Sequence, residues 1–362
     1  MSKKLIIAGG GTGGHIFPAI AIANALQRKD PSIQILFVGA KGKMEMEKVP
    51  QAGYDIKGLD IAGFNRSSLI KNIALPFKLV KSFFQVKKIF KEFRPDAVIG
   101  VGGYSTFPVL KYAQSRGIPT FIHESNSFAG KANILLGKNA TKVFTATDGM
   151  EQFFPAGRIM ITGNPVRQSI AAMNSTREKA IQYFSLSPDK ITVLVVGGSL
   201  GARSINEAVI AHVGDLLKAG LQLIWQTGKT LSKEAMEIAV EHQEIWANEF
   251  ITEMQYAYAA ADIIMARAGA MTVAEICVAR KPVIFVPYPF ATEDHQTVNA
   301  LQLVNKGAAW LVRDDAAKDT AVAKVIALAK DDATRNHMSR VLGTLSVTDA
   351  DDRVANEILK TI

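Results

Sequence analysis

The sequence predicts an α/β protein made of two doubly wound parallel-sheet domains facing each other across a cleft. Three observations predict it. Short β-branched or apolar runs alternate with longer stretches of helical period along the chain, the pattern of βαβ units whose sheets are covered on both faces. A strand, glycine turn and helix start occur twice, as "LIIAGGGTGG" (5–14) and "VLVVGGSLGA" (193–202), each opening a domain-sized half. The 362 residues suffice for two separate cores.

Taken in order, the first half offers strands at 4–9, 33–39, 96–102, 119–124 and 142–147. The second half offers them at 191–198, 221–228, 248–254, 261–269 and 281–288. Gly163, Asn164 and Pro165 break structure near 161–167, predicting domains over 1–162 and 163–344. A C-terminal helix at about 345–362 is expected to pack back on the first domain. Between 69 and 94, Leu75, Leu79, Phe83, Val86, Phe90 and Phe93 recur on one helical face, as a helix covering the first sheet requires. Phe77, Val80, Phe84 and Ile89 lie off that stripe. Lys71, Lys78, Lys81, Lys87, Lys88, Lys91 and Arg94 surround them, and Glu92 is the only acid. Extra apolar residues among lysines suit attachment to an anionic membrane surface.

Composition narrows the class. With 48% hydrophobic and 21% charged residues the chain is globular, and a net charge of +9 favours an anionic partner. The single cysteine, Cys277, excludes an internal disulfide and a cysteine metal cluster, and its apolar surroundings read as a buried inert thiol in a reducing compartment. No signal peptide and no apolar run of about 18 residues is found, so no bilayer span is expected.

Gly9, Gly11 and Gly14 satisfy G-x-G-x-x-G directly after a strand. A dinucleotide site also needs an acid at the end of the second strand, where Gly39, Ala40 and Lys41 stand instead. The loop is no Walker A either. What remains is an anion site of backbone N–H groups at a helix N-terminus. His15 either hydrogen-bonds the turn or takes a proton near neutral pH, and spacing alone leaves both open. In the second loop, Ser199 can cap a helix or hold a phosphate oxygen, and Arg203 reads as an anion contact or a solvated charge. Arg167 is a fixed positive charge at the domain join. Residues 266–276, "ARAGAMTVAEI", form a third turn, with Glu275 a candidate for sugar hydroxyls. Past a strand end at 287–300 come Glu293, Asp294, His295, Gln296 and Asn299, where open α/β sheets place ligands. Metal is the minor reading there, for want of a second histidine.

Together "GGGTGGHIFPAIAIA", "GVGGYSTFP", "HESNSFAG", "TGNPVR", "VVGGSLGA", "ARAGAMTVAE" and "EDHQTVNA" resemble glycosyltransferase family 28 in order and spacing, from residue 5 to the C-terminal "RVANEI". The resemblance implies a GT-B fold of two Rossmann-like domains. It implies inverting transfer of GlcNAc from UDP-GlcNAc to the 4-hydroxyl of MurNAc in lipid I (undecaprenyl-pyrophosphoryl-MurNAc-pentapeptide), giving lipid II for peptidoglycan. No metal, cofactor or nucleic acid is implied, and the place is the cytoplasmic face of the plasma membrane. By motif, uracil is read by the backbone at Ile251 and ribose by Glu275. The diphosphate meets Ser199 and Gly269, Ala270 and Met271, followed by Thr272, Val273 and Ala274. Arg167 lies by the nucleotide, and Gln296 reads the GlcNAc hydroxyls. Thr12, Gly13, Gly14 and Asn126 approach the donor sugar. Gly102, Gly103 and Tyr104 belong to the acceptor pyrophosphate site. The base is His15, or after it Glu124. Two positions depart from the family's usual pattern: Ala268 stands for serine and Ser125 for glutamine. The rival readings are a GT-B UDP-GlcNAc epimerase, an NADP oxidoreductase and a non-catalytic nucleotide-sugar binding module.

Overall fold

The computed structural model describes residues 2–63, 75–173, 175–198, 201–291 and 294–362. It divides into two compact units, Met1–Arg167 with Asp349–Ile362, and Gln168–Thr348. Residues 163–167 stay with the first unit because hydrogen bonds tie them there. Gly163 N–H donates to Thr145 O (3.2 Å) and Asn164 Nδ2 to Ser125 O (3.0 Å).

The first unit runs β1 (Lys4–Ala8), α1 (Gly13–Lys29), β2 (Gln34–Ala40), α2 (Glu45–Gln51), β3 (Asp55–Leu59), α3 (Leu75–Phe93), β4 (Ala97–Gly100), α4 (Thr106–Ser115), β5 (Thr120–Glu124), α5 (Lys131–Gly137), β6 (Lys142–Thr145) and β7 (Ile159–Ile161). Its seven strands are all parallel, in the order β3-β2-β1-β4-β5-β6-β7. The period-2 alternation of β1 sends Leu5 and Ile7 into one core and Ile6 into the other. The first core holds Ile22 and Leu26 of α1, and the second holds Val86, Ile89 and Phe90 of α3 with Val109 and Leu110 of α4. Each such side chain contributes about 1.5–3 kcal/mol by leaving water. Sequence had set Ile89 off the buried stripe of α3, but it is buried.

The second unit runs α6 (Gln168–Ala171), α7 (Arg177–Tyr183), β8 (Thr192–Val196), α8 (Arg203–Lys218), β9 (Gln222–Gln226), α9 (Ser232–Glu241), β10 (Ile245–Asn248), α10 (Met254–Ala260), β11 (Ile263–Ala266), α11 (Ala270–Ala279), β12 (Val283–Phe285), α12 (His295–Val304), β13 (Ala309–Leu311), α13 (Ala317–Ala329) and α14 (Asp332–Leu345). Its parallel strands follow the order β10-β9-β8-β11-β12-β13. The final helix, α15 (Ala350–Thr361), packs on α1, with Val354 and Ile358 fully buried and Arg28 paired to Asp351 at 2.9 Å.

Three strands, β3, β7 and β13, escaped the sequence reading, and the strand read at 248–254 lies instead at Ile245–Asn248. Cys277 is free and buried, and burial pushes its thiol up to about 12. In both sheets the strand order reverses beside the first strand, between β1 and β4 and between β8 and β11. Open α/β sheets bind ligands outside the carboxyl ends of the strands at that reversal. Each unit therefore directs attention to one crevice.

Candidate active site

In the first unit the reversal brings two glycine turns together. After β1, Gly10 and Gly11 take φ of +142° and +91°; after β4, Gly102 and Gly103 take +97° and +92°. Gly10 N–H donates to Gly102 O (3.1 Å), and a Cβ on Gly103 would stand 2.3 Å from Gly10 O. The contact is so close that only glycines permit it. Thr12, exposed, begins α1 with no side-chain cap, and Gly13, Gly14 and His15 form the helix's first turn. Half-buried His15 turns its Nδ1 to Gly10 O at 3.1 Å, and a Cβ on Gly102 would lie 2.7 Å from its ring. The sequence-predicted Gly13, Gly14, His15, Gly102 and Gly103 thus share one crevice. Tyr104 follows the second turn, 46% exposed.

At the end of β5, the Glu124 carboxylate is buried and accepts four hydrogen bonds. They come from Asn126 N (3.1 Å), Asn126 Nδ2 (3.3 Å), Gly130 N (3.1 Å) and Asn133 Nδ2 (2.8 Å). Both oxygens are occupied in shaping the 125–130 loop, which fixes Asn126. Beside it, His123 is buried, with Nε2 facing Gly163 O (3.4 Å) and Nδ1 facing Ser125 Oγ (3.3 Å). Ser125, the departure from the family pattern, is therefore engaged inside the unit. Burial first, then the charge of His15, press the His123 imidazole down to about 4 against the opposing Gly163 hydrogen bond. Arg167 stacks its guanidinium over Phe17, 5.0 Å from the ring centre.

Sequence reading missed Glu45. It is 1% exposed at the start of α2 and accepts from Gly11 N (2.7 Å) and Ala40 N (2.9 Å). The acid absent from the end of β2 is thus supplied five residues later, where it binds the glycine loop. Lys41 pairs instead with Asp60 at 2.8 Å. In the sequence Glu45 is one of two glutamates, with Glu47, set among Met44 and Met46, and nothing local marks it rather than Glu47 for the glycine loop.

In the second unit the turn after β8 closes on β9: a Cβ on Gly201 (φ +82°) would lie 2.2 Å from Thr227 O. Ser199 and Glu293 lie outside the described residues. Arg203 is 75% exposed and paired with Glu207, a solvated charge. Ile251 is buried, and its N–H donates to Gln226 Oε1 (3.0 Å), whose Nε2 donates to Gly198 O (3.2 Å). Of the Ile251 backbone groups expected to read uracil, the N–H is thus already engaged. After β11, extended Gly269 precedes α11, whose first helical hydrogen bond is Val273 N to Gly269 O (3.0 Å). The N–H groups of Met271 and Thr272 lie ahead of that bond, at the positive end of the helix. Val273 and Ala274 are half-buried. Glu275 is 7% exposed and accepts a hydrogen bond from the Tyr258 hydroxyl on Oε2 (3.0 Å). Gln296 Oε1 accepts from Tyr288 N (2.9 Å), and Asn299 Nδ2 donates to Ala268 O (3.2 Å).

Arg267, also missed, clamps this crevice. Its guanidinium donates to Val286 O (2.9 Å) and Pro287 O (3.1 Å), pairs with Asp314 and covers Tyr288. Among the described residues, no three His, Cys, Asp or Glu side chains gather as a metal site.

Two parallel doubly wound sheets, each with a glycine-lined crevice at its strand reversal, define a GT-B type of glycosyltransferase architecture. Residues 5–145 match the glycosyltransferase family 28 N-terminal domain, and residues 192–354 match its C-terminal domain. A Phocaeicola vulgatus protein named UDP-N-acetylglucosamine--N-acetylmuramyl-(pentapeptide) pyrophosphoryl-undecaprenol N-acetylglucosamine transferase is 49% identical over 99% of this chain and 96% of its own. The Cytophaga hutchinsonii protein of the same name is 45% identical over 99% and 97%. The crystal structure of Acinetobacter baumannii MurG superposes with a TM-score of 0.79 at 30% identity, covering 99% of both chains. A UDP-N-acetylglucosamine 2-epimerase structure reaches 0.65 at 17% identity over 99% and 96%, a likeness of fold alone. The chain belongs to glycosyltransferase family 28, among these MurG-type transferases.

Proposed function

We propose that the protein transfers GlcNAc from UDP-GlcNAc to the 4-hydroxyl of the MurNAc in lipid I, with inversion, yielding lipid II and UDP. The observation that carries this is likeness at 45–49% identity over nearly the whole chain to transferases named for that reaction. The local chemistry supports it. The α11 N-terminus offers backbone N–H groups to the UDP diphosphate as negative charge develops on the leaving group. Glu275, steadied by Tyr258, accepts from the ribose hydroxyls, and Ile251 lies along the base. The paired turns at 9–14 and 102–104 serve the acceptor pyrophosphate. His15 takes the 4-hydroxyl proton as that oxygen attacks the anomeric carbon, while the bond from that carbon to the UDP oxygen breaks. Glu124, its oxygens held by four donors, shapes the loop of Asn126, so His15 is the base.

The acceptor is lipid-linked, and we assign the membrane contact to α3. Phe77, Val80 and Phe84 are 77%, 57% and 69% exposed on a helix carrying Lys78, Lys81, Lys87, Lys88 and Lys91. No helix among the described residues is long and apolar enough to span a bilayer. Lys71 lies outside the described residues. Peripheral attachment to the cytoplasmic leaflet follows from this reading.

The test incubates the protein with UDP-GlcNAc, with and without a soluble lipid I analogue. UDP release together with a disaccharide product, only when the analogue is present, is expected. Conversion of UDP-GlcNAc to its 2-epimer without acceptor would make it an epimerase. Binding with neither reaction would leave a nucleotide-sugar binding module.

A further inference from the structure

We propose that Glu45 acts on His15 through the peptide unit that joins Gly10 to Gly11, fixing the imidazole as the Nδ1–H tautomer and strengthening it as a base. The inference rests on His15 being the base of the proposed reaction.

The two contacts lie on opposite ends of one peptide. Its N–H, from Gly11, donates to Glu45 Oε2 at 2.7 Å. Its C=O, from Gly10, faces His15 Nδ1 at 3.1 Å. A carbonyl oxygen only accepts, so Nδ1 bears the proton and Nε2 is the basic nitrogen of the neutral ring. A negative charge on the N–H end polarises the peptide and makes its C=O a stronger acceptor, by about 10–30% per bond in a chain. That acceptor stabilises the imidazolium formed when the ring takes a proton. The logic is that of a carboxylate orienting a catalytic histidine, with a peptide inserted between them.

The surrounding backbone is built to permit this. A Cβ on Gly10 would stand 2.3 Å from the Glu45 carboxyl carbon, one on Gly39 2.5 Å from its Cγ, and one on Gly102 2.7 Å from the His15 ring. Three glycines therefore clear the space at both ends. Glu45 Oε1 is held by the buried Ala40 N–H, which fixes the carboxylate in place. The other ionisable groups on neighbouring elements act differently. His123 of β5, which interacts electrostatically with His15, is kept neutral by burial. Glu124 is committed to its own loop. Tyr104 stands on the turn after β4, and Arg167 stacks on Phe17, two residues along α1.

The experiment is an imidazole ¹⁵N NMR titration of the full chain, with kinetics on the same variants. The wild-type His15 ring should be the Nδ1–H tautomer when neutral. The carboxylate favours the protonated ring, so Glu45→Gln should lower the His15 midpoint by about 0.5–1 unit. The acidic limb of kcat should move to lower pH by the same amount. In that variant kcat should fall about 2–5-fold, a fraction of that shift, with the KM for UDP-GlcNAc unchanged. In a His15→Ala background, Glu45→Gln should cost nothing further. An Nε2–H tautomer, or an unmoved midpoint in a variant that melts like wild type, overturns the proposal. If Glu45→Gln does not fold, the midpoint is read in Glu45→Asp, whose shorter side chain weakens the Gly11 contact, and an unmoved midpoint there overturns it equally. Full activity of His15→Ala alone would sink His15 as the base, while the NMR result would still decide the Glu45 link.

Discussion

His15 and His123 both face backbone carbonyls, yet their surroundings set them to opposite tasks. His15 is half-buried at a helix start beside two glycine turns. If it removes the acceptor proton, His15→Ala should lower kcat about 10²–10⁴-fold with little change in UDP affinity, measured by turnover and by UDP titration. Near-normal turnover would move the role elsewhere. His123 is fully enclosed, and its midpoint is lowered from 6.5 to about 4. Between those values the unfolded chain binds a proton that the folded chain refuses. The contribution of His123 is therefore complete above pH 6.5 and is lost as pH falls toward 4. His123→Gln cannot titrate, so its melting temperature should fall less steeply than wild type across that window. Equal slopes in thermal melts would show that the buried ring is not held neutral.

Which elements were legible follows from where they sit. The central strands β1, β4, β5, β8, β9, β11 and β12 are near-continuous apolar runs because both faces are covered, and periodicity finds such runs. The three missed strands and the misplaced β10 are the four sheet edges. An edge strand pairs on one side and can be short or mixed: β3 reads "DIKGL" and β13 only "AWL". The same division holds in the site. Glycine turns announce themselves by composition, so the turns at 9–14, 102–103 and 269 were readable. Glu45, Gln226, Tyr258 and Arg267 act through contacts to residues 17 to 47 positions away, which no local pattern encodes. Gln226 gives the element-scale prediction. Its amide ties the turn after β8 to Ile251, and its orientation is set because only Oε1 can accept from an N–H. A backbone edge that pairs with uracil does not match adenine, so UDP should inhibit well and ADP poorly. Gln226→Leu should weaken inhibition by UDP about 10-fold, the scale of one buried hydrogen bond, and leave that by ADP unchanged. Parallel inhibition curves for both nucleotides would decide it, and an unchanged UDP value would reduce the bridge to a structural tie.

At the scale of the whole molecule, a net charge of +9 is unevenly spent. On α3, Val86, Ile89 and Phe90 are buried against the first sheet, whereas Phe77, Val80 and Phe84 are turned out beside lysines. Two of those lysines have acidic partners: Lys81 meets the half-buried Asp60, which Lys41 also pairs, at 2.9 Å, and Lys88 meets Glu92 in an exposed, weak pair at 3.9 Å. Scattered single apolar residues on a surface mean little, but two phenylalanines and a valine within eight residues of one helix, Phe77–Phe84, form a patch. Seating a phenylalanine in the acyl boundary gains about 1.5–3 kcal/mol, and each lysine near an anionic leaflet adds about 1 kcal/mol. Together these suffice for reversible attachment and fall well short of insertion. Sedimentation with vesicles containing anionic lipid should therefore carry the protein down at low salt and release it as salt screens the lysines. Phe77→Ser/Phe84→Ser should weaken binding at every salt concentration, because the apolar part is not screened. Charge reversal at Lys78 and Lys87 should weaken it mainly at low salt. The aromatic variant should keep its turnover on a soluble lipid I analogue, since both phenylalanines lie away from the paired glycine turns in sequence and on a separate helix. Wild-type-level sedimentation by all variants, or none by wild type at low salt, would remove α3 as the membrane contact.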